Sequence, residues 1–456
     1  MTDKNFVLSK YIKTGWAIGE LSIAVYIGIT MGFFLFFLTE AHGISPVLAG
    51  VCLLVPRLWD AVSDPIMGAI SDRTQSKMGR RRPYLLVGSI LFGVSFYFTL
   101  AIPDLPTEMG KAIYFTVMYT ILSTAYTMVD VPYSAMVSEM SQNYRERTNI
   151  VGYKMMGARL GILLSATLSP FIFSSQDTLA EGFRLLGLIT GIFIVVTGLI
   201  AFFTTKDAPR IETRPGRFSL VEEYRAIAGN KSFRVLFSVF LFQNLAIGAA
   251  ATSLVYYITI AMQASATMFG PLMMVAALTA TLATPPWVVV VRKLGKKRAY
   301  TLALIYSAFM SLPAFFLPPS LYLLLFGLYF LTAIGDAGNQ LLPNSMVADT
   351  IEVDELHTGT RREGTIFGAW AFSRKAGMAG GAFFTSVVLA QSGFVSGVGL
   401  EQADSALLGI RLAYSALPFL LWICAIILLK RYDLTEERFN EIKVELAERL
   451  EENRRT

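Results

Sequence analysis

The chain has 456 residues, of which 54% are hydrophobic and only 16% charged, against about 25% charged in soluble globular domains. That balance excludes a soluble enzyme of this length and points to a polytopic membrane protein lying in a lipid bilayer. The net charge of +6 implies no nucleic-acid partner, because the basic residues are grouped in alternate loops.

The polar, basic start MTDKNFVLSKYIK leads straight into a long apolar span with no small-residue cleavage site, so no removable signal peptide is expected. Apolar spans of about 20 residues or more follow at roughly 14–39, 46–71, 84–103, 110–137, 149–174 and 183–204. After a polar connection they resume at roughly 234–261, 266–291, 299–317, 320–348, 364–391 and 406–430. The expectation is an all-α membrane protein with twelve transmembrane helices. Residues 1–204 would form an N-terminal six-helix bundle, 205–233 a cytoplasmic central loop, 234–430 a C-terminal six-helix bundle and 431–456 an amphipathic tail. In that tail Asp433 is placed to cap a helix with Glu436 three residues on, and Phe439, Ile442, Leu446 and Leu450 share one face. Packing on the cytoplasmic surface is the expected use of that face, with a partner-binding role as the other. Cys52 and Cys424 lie in apolar segments and read as small buried hydrophobes.

Orientation follows from the lysines and arginines. Arg73, Lys77, Arg80, Arg81 and Arg82 follow the second span, and Arg292, Lys293, Lys296, Lys297 and Arg298 follow the eighth. The connections near 40–45, 104–110, 175–182, 262–265 and 391–405 hold almost none. All basic loops fall on one side if both termini are cytoplasmic. The halves also repeat. Met78-Gly79-Arg80-Arg81-Arg82-Pro83-Tyr84 recurs as Leu294-Gly295-Lys296-Lys297-Arg298-Ala299-Tyr300, and Pro132 to Val137 resembles Pro343 to Val347 with one gap. Such duplication implies two pseudo-symmetric six-helix bundles with a ligand site at mid-membrane between them.

Charge inside the spans carries the functional signal. Asp60 and Asp64, four residues apart, share one helix face with Arg57. An ionised group at mid-bilayer costs roughly 2.5–3.5 kcal/mol even on the lenient insertion scale, so these acids should look into the protein and meet a cation, a proton or a basic partner. Glu20 in the first span, Asp130 in the fourth, Lys154 and Arg159 in the fifth, Asp336 in the tenth and Arg374 and Lys375 in the eleventh complete the set. Acids thus gather in the first half, and the basic pair Arg374 and Lys375 offers a charge bridge from the second. A structural reading stays open beside the functional one: Arg57 can neutralise Asp60, and Lys375 can bridge to Asp64. Two carboxylates with one arginine still leave surplus negative charge, which favours uptake of a monovalent cation. His42 and His357 are the only histidines, and no nucleophile–base pair, metal-ligand spacing or phosphate-cradling loop stands out, so an enzyme is not expected.

Gly68, Asp72, Arg73, Gly79 and Arg80 resemble the cytoplasmic gating signature of the major facilitator superfamily, with a longer gap than usual after Arg73. Arg145 and Arg147 in one half, and Arg361 and Arg362 in the other, look like counterparts of each other. Arg57 to Gly68, RLWDAVSDPIMG, closely resembles the second-helix signature of the glycoside–pentoside–hexuronide:cation symporters, the melibiose permease family. Gly15 to Glu20, Tyr126 to Pro132 and Gly359 to Gly377 fit the same family, so the resemblance covers nearly the whole chain.

The resemblance implies the major facilitator fold and cation-site positions at Asp60, Asp64, Ser63 and Thr127, with Ser63 standing where the permease has an asparagine. It implies sugar-hydroxyl contacts from Glu20 and Asp130, further substrate contacts from Tyr126 and Lys154, and a helix-11 lysine at Lys375. The sugar pocket departs from the family: Ser134 replaces a tryptophan, Gly19 a lysine and Ala371 a threonine. The expected function is alternating-access symport of a sugar or glycoside-like solute with Na⁺ or H⁺, by a monomer in the bacterial inner membrane. No cofactor is expected, and no metal beyond Na⁺ at Asp60 and Asp64. A lysolipid or another organic solute is the alternative, and a non-transporting receptor or scaffold the remote one.

Overall fold

Four of the apolar runs begin where a short polar side chain satisfies a free amide of the first helical turn. Ser9 accepts from Ile12 N at 3.3 Å, Thr107 from Gly110 N at 3.1 Å, Thr178 from Glu181 N at 3.3 Å and Asn230 from Phe233 N at 2.9 Å. The computed structural model describes residues 8–141, 144–208, 229–358, 363–434 and 436–455. Among them every regular element is helical. The first six long helices are α1 (Lys10–Phe36, running on through a π turn to Ala41), α2 (Pro46–Arg73), α3 (Arg82–Leu100), α4 (Glu108–Met140), α5 (Tyr144–Phe173) and α6 (Leu179–Thr204). Then come α7 (Lys231–Tyr256), α8 (Phe269–Leu294), α9 (Lys296–Ser311), α10 (Leu324–Thr358), α11 (Glu363–Gln391), α12 (Asp404–Leu429) and the tail helix α13 (Glu436–Arg455).

Ten of these helices are long and apolar enough to cross a membrane, counted over the described residues. The other two long ones, α10 and α11, have the length but carry Asp336, Asn339, Gln340 and Asn344, and Arg374 and Lys375, within their spans.

The chain divides into two packed units. The first holds everything through α6 together with Ile258–Pro271 and Leu389–Ala406. In it α1 lies on α5 and α6, α3 on α4 and α6, and α2 on α4. The α1–α5 approach depends on Gly157 and Gly161: a Cβ at the former would collide with the Ala17 carbonyl oxygen, and one at the latter would lie 2.6 Å from Ala24 Cβ. The Leu389–Ala406 segment is tied down by Glu40, whose carboxylate accepts from Gly397 N at 3.2 Å and Gly399 N at 3.1 Å.

In the second unit α7 lies on α12 and α10, and α9 on α10 and α12. Ser373 and Thr385 of α11 donate to α7 carbonyls at Phe237 and Ala249, each at 3.2 Å. The α1–α5, α1–α6, α3–α4 and α3–α6 pairings of the first unit thus recur in the second as α7–α11, α7–α12, α9–α10 and α9–α12.

The tail helix corrects one expectation. Asp433 does not cap α13; its carboxylate accepts from Lys231 Nζ at 2.8 Å and Ser232 Oγ at 3.0 Å at the start of α7. Ile442 is buried, and Phe439 and Leu446 pack against the second unit's core.

Candidate cation and substrate site

The buried stripe of α2 runs through Leu53, Pro56, Asp60, Ser63, Met67 and Ser71, at spacings of three and four. Asp60 is therefore inside, 1% exposed, and Asp64 sits half-buried at the stripe's edge. Facing them is α4. Ser123 Oγ donates to Asp60 Oδ1, and Thr127 Oγ1 donates to Asp64 Oδ1 at 2.7 Å. Both bonds join residues 63 apart in sequence, so the two helices run parallel and in step. Trp59 Nε1, donating to Thr124 Oγ1 at 2.9 Å, pins the same register from the side.

Arg57 takes the second oxygen of Asp60. Its Nη1 lies 3.4 Å from Oδ2, and its Nη2 donates to Thr30 Oγ1 of α1 at 3.3 Å. The guanidinium stands 5.7 Å from the ring centres of both Tyr26 and Tyr119, a geometry that holds a cation through ring quadrupoles. The reading in which Arg57 neutralises Asp60 thus describes this conformation. Asp64 carries a different environment, centred on Thr127.

The expected substrate residues lie on α1, α4 and α5. Glu20 is buried and 3.5 Å from Lys154 Nζ, which also donates to Ser134 Oγ at 2.8 Å. Ser134 thus receives the lysine in the place where the permease family keeps a tryptophan. Lys154 lies 5.3 Å from the Tyr133 ring centre and 6.0 Å from that of Trp16. Those two rings stack on each other at 4.7 Å and both are buried. Tyr126 OH donates to Asp130 Oδ2 at 3.1 Å, one turn along α4. The structure therefore gathers Glu20, Lys154 and Ser134 in one contact set, and Tyr126 with Asp130 in another.

At the end of α2 the clasp expected from Asp72, Arg73, Gly79 and Arg80 is centred elsewhere. Arg81 is the hub: it donates to Ser71 Oγ, to Asp72 Oδ1 and, at 3.0 Å, to Glu139 Oε1. Arg80 joins the same oxygen at 2.7 Å. Gly79 supplies the left-handed turn, with φ of 89°. Arg73 closes the last turn of α2. Arg145 and Arg147 lie in α5 with side chains outside the described set, and Arg361 and Arg362 fall outside the described residues altogether. Between the first two, Glu146 is buried and pairs with Lys13 at 3.1 Å. In the second unit Arg374 is exposed and Lys375 half-buried on α11.

Sequence reasoning missed Ser123, Thr30, Tyr119, Arg81 and Glu139. For Ser123 a signal exists: it precedes Thr127 by the same four residues that separate Asp60 from Asp64.

The model of the family described as MFS/sugar transport protein matches residues 15–436. A Bacillus subtilis protein named as an uncharacterized symporter, YnaJ, is 30% identical over 97% of this chain and 96% of its own length. A Danio rerio protein named as a sodium-dependent lysophosphatidylcholine symporter, 1-A, is 25% identical over 99% of this chain and 91% of its own. Among solved structures, the nucleoside transporter NupG superposes with a TM-score of 0.67 at 10% identity, covering 92% of this chain and all of NupG (100%), which is a likeness of fold. A multi-pass, all-α membrane chain that matches this family model over nearly its whole length belongs to the MFS/sugar transport protein family, and it is a transporter rather than an enzyme.

Proposed function

We propose that the protein is a symporter that moves a sugar or glycoside-like solute together with a monovalent cation by alternating access. The cation, Na⁺ or H⁺, occupies the α2–α4 carboxylates. The solute binds beside Glu20, Asp130, Tyr126 and Lys154, where two carboxylates can each accept from several hydroxyls. The observation that carries this reading is the pair of membrane-embedded carboxylates matched, rung for rung, by α4 hydroxyls. Cation occupancy lowers the repulsion between Asp60 and Asp64 and fixes α2 against α4. That fixes Asp130 and Tyr126, two and one turns or less further along α4. Transport then follows as differential stability of the loaded protein in its two access states. One charge crossing about 100 mV releases ~2.3 kcal/mol; at about 1.4 kcal/mol per tenfold, that drives accumulation by several tens-fold. Both termini face the cytoplasm of a bacterial cell in this reading, and the protein works as a monomer.

A lysolipid is the second substrate reading. It draws on the similarity to the lysophosphatidylcholine symporter and on Ser134, which leaves no tryptophan face for a sugar ring to lie on.

The test is uptake into proteoliposomes over a panel of glycosides, pentosides, hexuronides and lysolipids with a Na⁺, Li⁺ or pH gradient imposed. Accumulation of a sugar-class solute is expected, and Asp64→Asn should abolish it while substrate binding persists. Undiminished accumulation by that variant would reject the coupling role of Asp64.

A further inference from the structure

Hydroxyls in α4 divide into two kinds. Thr116, Thr120 and Thr124 each donate to the carbonyl four residues back, at 2.8, 2.7 and 2.8 Å, the ordinary resting place of a helical threonine. Ser123 and Thr127 donate instead across to α2 and its carboxylates. Both are buried, at 0% and 1% exposure. On α2 a third hydroxyl behaves unusually as well. Ser63 is 7% exposed, yet its Oγ has no hydrogen-bond partner among the described residues, whereas Ser71, two turns on, bonds the Gly68 carbonyl at 3.1 Å. A buried hydroxyl without a protein partner is costly, by about 1–3 kcal/mol, so the Ser63 oxygen is available as a ligand. It lies three residues after Asp60 and one before Asp64, in the stripe that faces inward.

We infer that Ser123 is a direct ligand of the transported cation and sets its selectivity toward Na⁺. This rests on the cation-coupled reading above and adds to it a residue outside the set implied by resemblance. A proton needs one carboxylate oxygen and nothing else. A dehydrated alkali cation needs several oxygens at once, because hard cations exchange a full hydration shell for oxygen ligands. Asp60, Asp64, Ser63, Ser123 and Thr127 bring five oxygen-bearing side chains to facing turns of two helices held in step. A hydroxyl carries one donor and two lone pairs. In this conformation Ser123 and Thr127 point their hydrogens at the carboxylates; to bind a cation, each O–H rotates away and its oxygen faces the ion. Only hydrogen bonds are exchanged in that step. Arg57 stays in its aromatic frame and keeps the Oδ2 side of Asp60, which directs the ion to the side where Ser123 stands. Ser63 offers its short hydroxyl from α2, and Ser123 supplies an oxygen from the facing helix.

The experiment uses the full chain in proteoliposomes, with Ser123→Ala, Ser123→Thr and, as control, Thr120→Ala, whose hydroxyl serves its own backbone. Two quantities are read: the Na⁺ concentration giving half-maximal substrate uptake, and uptake driven by a pH gradient without Na⁺. Na⁺-dependent change in Trp59 fluorescence gives a binding readout independent of transport. The expected result is a roughly tenfold rise in the half-saturating Na⁺ concentration for Ser123→Ala, about 1.4 kcal/mol, with pH-driven uptake retained. Ser123→Thr should restore the wild-type value, and Thr120→Ala should leave it unchanged. The inference is overturned if Ser123→Ala keeps the wild-type Na⁺ constant, if it loses Na⁺- and pH-driven uptake in equal measure, or if Thr120→Ala gives the same shift. Wild-type uptake driven by a pH gradient but indifferent to Na⁺ would overturn it while leaving cation coupling intact. Wild-type uptake indifferent to every imposed gradient would overturn both.

Discussion

The loops after α2 and after α8 descend from one repeated motif, yet they are anchored differently. Gly79 and Gly295 occupy matching positions with φ of 89° and 77°, although residues 74–81 join α2 to α3 while Gly295 alone joins α8 to α9. In the first unit, two guanidiniums, Arg80 and Arg81, converge on the buried Glu139 of α4. In the second, Lys296 reaches Asp349 of α10, at 2.6 Å, and Lys297 turns to the carbonyls of Lys430 and Tyr432. The helices ahead of the loops diverge further. Asp60 and Asp64 stand within α2, while α8 has no acid at all. The duplication thus kept its shared scaffold in both units and placed its membrane-embedded carboxylate pair in one.

The strongest challenge to that contrast is Glu139→Ala. It removes the carboxylate on which Arg80 and Arg81 converge, at a site only 9% exposed on the carboxylate side, leaving Arg81 with Asp72 and Ser71. Removing one partner of a buried pair costs about 3–5 kcal/mol. Thermal unfolding in detergent should register the loss. Lys296→Ala should cost far less, about 1 kcal/mol or below, because its side chain is 38% exposed and solvent screens the pair. Equal losses in the two variants would erase the distinction between the loops.

The smallest effect concerns the tail. Burial raises the Asp433 carboxyl, but hydrogen bonds from Lys231 and Ser232 and the lysine's charge outweigh it and hold the group below its ordinary value. A carboxylate lowered on folding contributes its stability above the unfolded value, near 3.9, and loses it as pH falls through the lower folded one. The pair is half exposed, so Asp433→Asn should cost no more than about 0.5 kcal/mol at neutral pH. The gap to wild type should close in acid; a gap that widens there would refute this.

The helices were legible because each is a long, mostly apolar run set off by polar, charged or glycine-bearing connections. Asp60, Asp64 and Arg57 were legible because charge in such a run demands an explanation. Partners across helices were not. Ser123 reaches Asp60 over 63 positions and Arg81 reaches Glu139 over 58, and the register between two helices is written in their packing rather than in either segment. Arg81 was passed over for Arg80 because adjacent arginines look alike until one of them meets three acceptors. Asp433 was misread as a cap because its spacing to Glu436 fits one, while Lys231 lies some two hundred residues upstream.

The glycines between α1 and α5 bear on motion. With Gly157 and Gly161 letting one backbone rest against the other, those helices behave as a single casting, and Glu20 and Lys154 are set into it from opposite sides. No hinge in the first unit can part that acid from that base without opening the seam. Whatever rearrangement exposes the solute must therefore carry both along together, just as Trp59, Asp60 and Asp64 tie α2 to α4.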